Sequence, residues 1–210
     1  MVLVKVCGIT NLDDALAAAD AGADALGFNF YRRSPRYLAP LVARPIVDHL
    51  RESYPEVLTV GVFVNESLEV INEIAEAAGV SALQLHGNES PEYCEALKDR
   101  YLIKAFSTSK EFVPEQVLDY AVQAIMLDAV AKDAFGGTGK LSNWSVARQT
   151  RALVPRLFLA GGLSPENVAE AISQVNPYAV DACSRLESGP GQKDHAKVRA
   201  FVAAVRAATA

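Results

Sequence analysis

The chain is predicted to fold as a single α/β domain, residues 1–210, whose eight parallel strands close into a (β/α)8 barrel. Three observations lead there. Eight short runs rich in apolar and β-branched residues recur along the chain, several apolar almost throughout, as strands buried on both faces of a parallel sheet must be. Between them lie stretches with apolar residues at helical spacing. That repetition leaves a closed barrel or a doubly wound open sheet, and no GxGxxG follows the first strand, which disfavours a dinucleotide-binding open sheet. At 210 residues the units average about 26 residues, near the short end for a barrel.

In chain order, strands are expected at 2–7, 25–29, 59–64, 82–85, 102–105, 124–128, 156–160 and 179–181. The first helix is drawn by Leu12, Ala15, Leu16 and Ala19 and the last by Val198, Phe201, Val202 and Val205, each set lining one helical face. Ser90-Pro91 and Ser164-Pro165 each read as a capping serine followed by proline at the first helical position. Gly22 and Gly79 fall where helix C-caps are expected.

Composition narrows the function. Half of the residues are hydrophobic, 21% are charged and the net charge is −5, an ordinary globular balance that argues against nucleic acid. No apolar run approaches the roughly 20 residues that cross a bilayer, and Met1-Val2-Leu3-Val4-Lys5 lacks the order of a signal peptide. The expectation is a cytoplasmic protein without membrane contact. Cys7, Cys94 and Cys183 form no CxxC pair, so neither a disulfide framework nor a zinc site is expected. Monomer and homodimer are equally compatible with the sequence.

In a barrel, polar residues at the C-terminal strand ends face the active site. Those ends supply Cys7, Asn29, Asn65, His86, Phe106, Asp128, Gly161-Gly162, Asp181 and Ser184. Cys7, followed by Gly8, is either an inert buried thiol or a base that takes a carbon-bound proton, the second requiring nearby positive charge. Asp128 follows Ala124-Ile125-Met126-Leu127; it is either a capping aspartate or a desolvated general acid. Gly161-Gly162 ahead of Leu163-Ser164-Pro165 is an ordinary turn or an anion site of bare backbone N–H groups at a helix start. Arg36 suits a carboxylate clamp or a solvated loop, and His86 an active-site wall or a turn. Gly136-Gly137-Thr138-Gly139-Lys140 lacks nucleotide-loop spacing and reads as a mobile active-site loop. His49, His195 and Cys94 read as helix residues, and Cys183 has no evident partner.

Taken together, these segments resemble the phosphoribosylanthranilate isomerase family of tryptophan biosynthesis. The likeness runs nearly end to end, through Lys5-Val6-Cys7-Gly8-Ile9-Thr10, Ser34-Pro35-Arg36-Tyr37, Gly61-Val62-Phe63-Val64-Asn65, Gln84-Leu85-His86-Gly87, Lys104-Ala105-Phe106, Leu127-Asp128, Leu159-Ala160-Gly161-Gly162-Leu163 and Pro190-Gly191-Gln192-Lys193-Asp194. The resemblance implies an Amadori rearrangement with Asp128 as general acid and Cys7 as general base, and no metal or organic cofactor. It implies that Arg36 meets the anthranilate carboxylate, that Gly161, Gly162 and Ser184 meet the phosphate, and that Asp181 meets a substrate hydroxyl; His86 is added as a substrate-binding residue. Two departures matter: Arg185 stands where the family has glycine, and Leu141-Ser142-Asn143-Trp144 replaces the family's aromatic-acidic step before the sixth helix's tryptophan, away from the chemistry. Two other readings stay open, a different phosphosugar isomerase or epimerase and a non-catalytic phosphosugar-binding barrel.

Overall fold

The computed structural model describes residues 1–109, 111–129 and 143–209. The strands β1 (Leu3–Cys7), β2 (Ala25–Asn29), β3 (Leu58–Phe63), β4 (Ala82–Leu85), β5 (Tyr101–Ser107), β6 (Ala124–Asp128), β7 (Leu157–Leu159) and β8 (Ala179–Ala182) pair in sequence order, all parallel. β8 returns to β1 in the register Leu3↔Ala179, Val4↔Val180, Lys5↔Asp181, Val6↔Ala182 and closes the barrel. The fold is thus the expected TIM barrel, with strand ends shifted by a residue or two. No helix among the described residues is long and apolar enough to cross a membrane.

Around the strands lie α1 (Leu12–Asp20), α2 (Pro40–Ser53), α3 (Leu68–Ala78), α4 (Pro91–Glu95), α5 (Trp144–Leu153), α6 (Val168–Val175) and α7 (His195–Ala208). A 3₁₀ turn, Pro114–Asp119, occupies the helix position between β5 and β6. After β8 come a 3₁₀ turn, Ser184–Leu186, and a small hairpin of β9 (Glu187–Gly189) and β10 (Gln192–Lys193). Ser90 caps α4 as its sequence implies, accepting from Tyr93 N–H at 3.3 Å. Gly79 ends α3 in the left-handed conformation.

The Ser164-Pro165 expectation fails. α6 begins three residues later, at Val168, with Asn167 at its N-cap. The Asn167 side chain accepts from Ser164 N–H at 2.9 Å and donates to the Gly162 carbonyl at 3.0 Å. Those bonds tie the segment into a turn, and its serine closes no helix. The expected loop at 136–140 lies outside the described residues.

Two cores follow from strand alternation. Val4, Val6, Leu26, Phe28, Leu83, Leu85, Leu127, Leu157 and Leu159 face the helices. The barrel interior holds Ala25, Val60, Ala82, Ile103, Ala124, Met126, Phe158 and Ala179. Inward parity continues to the C-terminal ends, where the inward side chains turn polar: Lys5 and Cys7 on β1, Gln84 on β4, Asp128 on β6, Asp181 on β8. That change of chemistry along one face places the site.

Candidate active site

The first half of the site is built where β1 meets β8 and β2. Lys5 is fully buried inside the barrel and donates to Asp181 Oδ1 at 2.7 Å. Cys7 sits two residues further along the same inward face. A Cβ on Gly27, its partner on β2, would lie 2.7 Å from Cys7 Sγ and 3.1 Å from Lys5 Nζ, so thiol and ammonium share one small space. On the other side stands Cys183; a Cβ on Gly8 would lie 2.9 Å from its Sγ.

The electrostatics follow from this packing. A hydrogen bond from the Cys183 thiol, with the charges of Lys5 and Lys193, holds Cys7 well below the usual thiol range against the opposing effect of burial. The same bond, with burial, pushes Cys183 up. Burial works against the Lys5 ammonium, but Asp181 and Cys7 together keep it charged. Burial pushes the Asp181 carboxyl up to about 6, against Lys5 and with Cys7 and Asp128 adding to the rise. Lys5 and Asp181 therefore both carry charge at neutral pH.

The second half lies on β4 and β6. Asp128 is buried, and its Oδ1 accepts from Ala129 N–H at 2.7 Å. Its Oδ2 lies 3.3 Å from His86 Nε2. The Gln84 amide nitrogen is 2.7 Å from His86 Nδ1, while Gln84 Oε1 is buried without a partner. Gly161 packs against this group: a Cβ there would lie 2.6 Å from Ala129 N and 3.1 Å from Asp128 Oδ1. Only glycine permits that approach at φ +91°. Gly162 also has positive φ, 67°.

At the rim, Arg36 makes a bidentate pair with Glu187, 2.7 Å on each arm. Lys193 Nζ joins the same carboxylate at 3.0 Å. Burial opposes ionisation of Glu187, but Arg36 and Lys193 outweigh it and hold the carboxyl low. The predicted carboxylate clamp is thus a clamp already holding an internal carboxylate, fixed at the mouth between the β2 and β8 loops. Ser184 opens the 3₁₀ turn after β8. Hydrogen bonds from Ser164 and its own backbone hold Glu166 low, with Arg185 and Lys197 contributing, which places the β7 and β8 loops side by side.

Strand-end reading therefore finds Cys7, His86, Asp128 and Asp181, which the fold brings to one face of the barrel, but it misplaces Phe106, which points outward from β5 onto Phe112 and Tyr120, and it misses the supports of the others. Lys5 was detectable, since a lysine two residues before an inward cysteine must share its face. Gln84 bears the same relation to His86. Cys183 had no partner in sequence because its partner is 176 positions away, across the closure of the barrel. Lys193 lay within the matching segment Pro190-Gly191-Gln192-Lys193-Asp194 without an assigned role, and Glu187 carried no local signal.

Known proteins resemble the chain in sequence and in fold. Residues 4–204 match the family model described as N-(5'phosphoribosyl)anthranilate (PRA) isomerase. A curated relative of that name from Trichlorobacter lovleyi is 47% identical over 202 residues, covering 96% of this chain and 97% of the relative. One from Thermotoga neapolitana is 49% identical over 203 residues, with 96% and 97% covered. The solved PRA isomerase of Thermotoga maritima, 43% identical, superposes with a TM-score of 0.90 over 99% of this chain and 100% of that one. A PRA isomerase solved with reduced 1-(o-carboxyphenylamino)-1-deoxyribulose 5-phosphate gives 0.87 at 42% identity, over 99% and 100% of the two chains. The chain belongs to the N-(5'-phosphoribosyl)anthranilate isomerase family and is an isomerase of tryptophan biosynthesis.

Proposed function

We propose that the chain converts N-(5'-phosphoribosyl)anthranilate to 1-(2-carboxyphenylamino)-1-deoxyribulose 5-phosphate, with Asp128 as general acid and Cys7 as general base. The observation that carries this reading is the Cys7 thiol, set at the end of β1 beside the buried Lys5 ammonium and held well below its usual range. A thiolate there takes up a proton at neutral pH, as an inert core thiol would not.

Asp128 protonates the furanose oxygen; the C1–O bond breaks and leaves an iminium between C1 and the anthranilate nitrogen. Cys7 removes the C2 proton, and the C–H electrons flow into the iminium to give an enolamine. Tautomerisation yields the ketone. The iminium is the electron sink, so the step closes on substrate atoms and these two side chains. His86 lies beside Asp128 and positions it. The Gln84 amide nitrogen against Nδ1 holds the His86 ring, and its Nε2 faces Asp128 Oδ2 at 3.3 Å. Gly161, Gly162 and Ser184 take the phosphate, Asp181 a ribosyl hydroxyl, and Arg36 the anthranilate carboxylate from its fixed place on Glu187.

The test is rescue of a tryptophan auxotroph that lacks this isomerase. Wild type is expected to restore growth, and Asp128→Asn and Cys7→Ala are each expected to lose about 10²–10⁴-fold in kcat while folded. Growth restored equally by both variants would overturn the acid–base assignment. Soluble wild-type protein that rescues nothing would overturn the substrate.

A further inference from the structure

We propose that Cys7 and Cys183 form a reversible dithiol–disulfide couple that an alkyl or hydrogen peroxide closes. The geometry comes from the closure of the barrel. β1 and β8 are in register at Lys5↔Asp181 and Val6↔Ala182, the last paired residues, and Cys7 and Cys183 are the residues that directly follow that pair on the two chains. Parallel neighbours stand roughly 4.8 Å apart, inside the Cα separation of about 4.4–6.8 Å that a disulfide spans. Residues opposed in a parallel pair point to the same face, so both thiols face the barrel mouth. The Cys183 thiol already hydrogen-bonds Cys7. Around the pair stand Lys5 and Lys193, with Lys193 Nζ 3.9 Å from Cys183 Sγ, and Glu187, also 3.9 Å from that sulfur. Both cysteines are free thiols. An ionised thiol with a second thiol against it is the arrangement in which the first sulfur is oxidised and the second resolves the product.

The chemistry balances with the peroxide as sole oxidant. The Cys7 thiolate attacks one peroxide oxygen; an S–O bond forms, the O–O bond breaks, and the leaving oxygen departs as water or alcohol after taking a proton. The Cys183 sulfur then attacks the sulfenic sulfur as its thiol proton passes to the departing S–OH oxygen; the S–S bond forms, the S–O bond breaks and that oxygen leaves as water. Two thiols lose two electrons and the peroxide gains them. A small dithiol reverses the change by exchange. Cys94 is the internal control, because it sits on the buried side of α4 and burial pushes its thiol up to about 11.

The effect on turnover rests on Cys7 as base, so the experiment reads bond and activity separately. The full chain is treated with hydrogen peroxide, quenched, digested without reductant and mapped by mass. The expected product is a peptide pair joining Cys7 to Cys183, lighter by two hydrogens, with Cys94 reduced and turnover lost until dithiothreitol restores it. In Cys183→Ser the same treatment is expected to drive Cys7 to the sulfinic acid, with a loss that dithiothreitol does not reverse. Sulfinic Cys7 beside a free Cys183 thiol in wild type, or a bond that involves Cys94 or joins two chains, would overturn the couple. The Cys7–Cys183 bond with full turnover would confirm the couple and remove Cys7 from the role of base.

Discussion

Lys5 is the residue on which the proposed chemistry most depends without touching the substrate's reacting carbon. Its ammonium serves Asp181 on one side and the Cys7 thiolate on the other. Lys5→Met keeps the volume and removes the charge, so the Cys7 thiol rises. The acid limb of the kcat/KM profile is then expected to move to higher pH, each unit of movement costing about tenfold on the acid side. Alkylation of Cys7 by iodoacetamide, followed against pH, checks it; an unmoved profile would mean that Lys5 only fills space. The variant also leaves a buried carboxylate unpaired, at about 3–5 kcal/mol in urea unfolding. Asp181 supplies a second expectation. Its folded value of about 6 lies above the ordinary 3.8, so its contribution to stability is present below about pH 4 and is lost as pH rises through 6. Unfolding free energy of wild type minus that of Asp181→Asn is expected to fall by up to about 3 kcal/mol across that window.

Among the elements, the turn after β7 is the one where backbone shape and chemistry meet. Gly161→Ala forces a left-handed residue and drives a methyl to 2.6 Å from the Ala129 backbone, beside the Asp128 carboxylate. Both a lower Tm and a lower kcat are expected. Gly22→Ala is the matched control: its φ of +94° is similar, but the nearest atom is Val202 Cγ1 at 3.7 Å, so the cost is about 1–2 kcal/mol with kcat unchanged. The strands and their order were legible because parallel strands buried on both faces must be apolar. The start of α6 was not, because Ser-Pro signals a turn as readily as a helix and the choice was made by Asn167 bonding back to Gly162 and Ser164. Cys7, His86, Asp128 and Asp181 were legible as strand-end residues. The Lys104–Glu89 pair was not: Lys104 points outward from β5 and meets Glu89 at 2.9 Å beyond β4, a contact that strand periodicity does not encode.

For the whole molecule, the seam between β1 and β8 decides both stability and site. Beyond that seam, Arg206 of α7 ties the last helix to the starts of β1 and β2, donating to the Val2 carbonyl at 2.9 Å, the Gly22 carbonyl at 2.7 Å and Asp24 at 2.9 Å. Asp24 in turn accepts from Val4 N–H at 2.7 Å. Arg206→Ala is expected to cost about 1–3 kcal/mol in denaturant unfolding. An unchanged midpoint would show α7 to be held on the barrel by apolar packing alone.

The seam has a consequence in time. Lys5 and Cys7 leave the ribosome first, whereas Asp181, Cys183 and Lys193 follow some 170 residues later. At roughly 5–20 residues per second, a nascent chain carries an ordinary thiol at position 7 for many seconds. The sulfur acquires its heightened reactivity at the moment the last strand docks on the first, so the proposed base doubles as a chemical clock for completion of the fold.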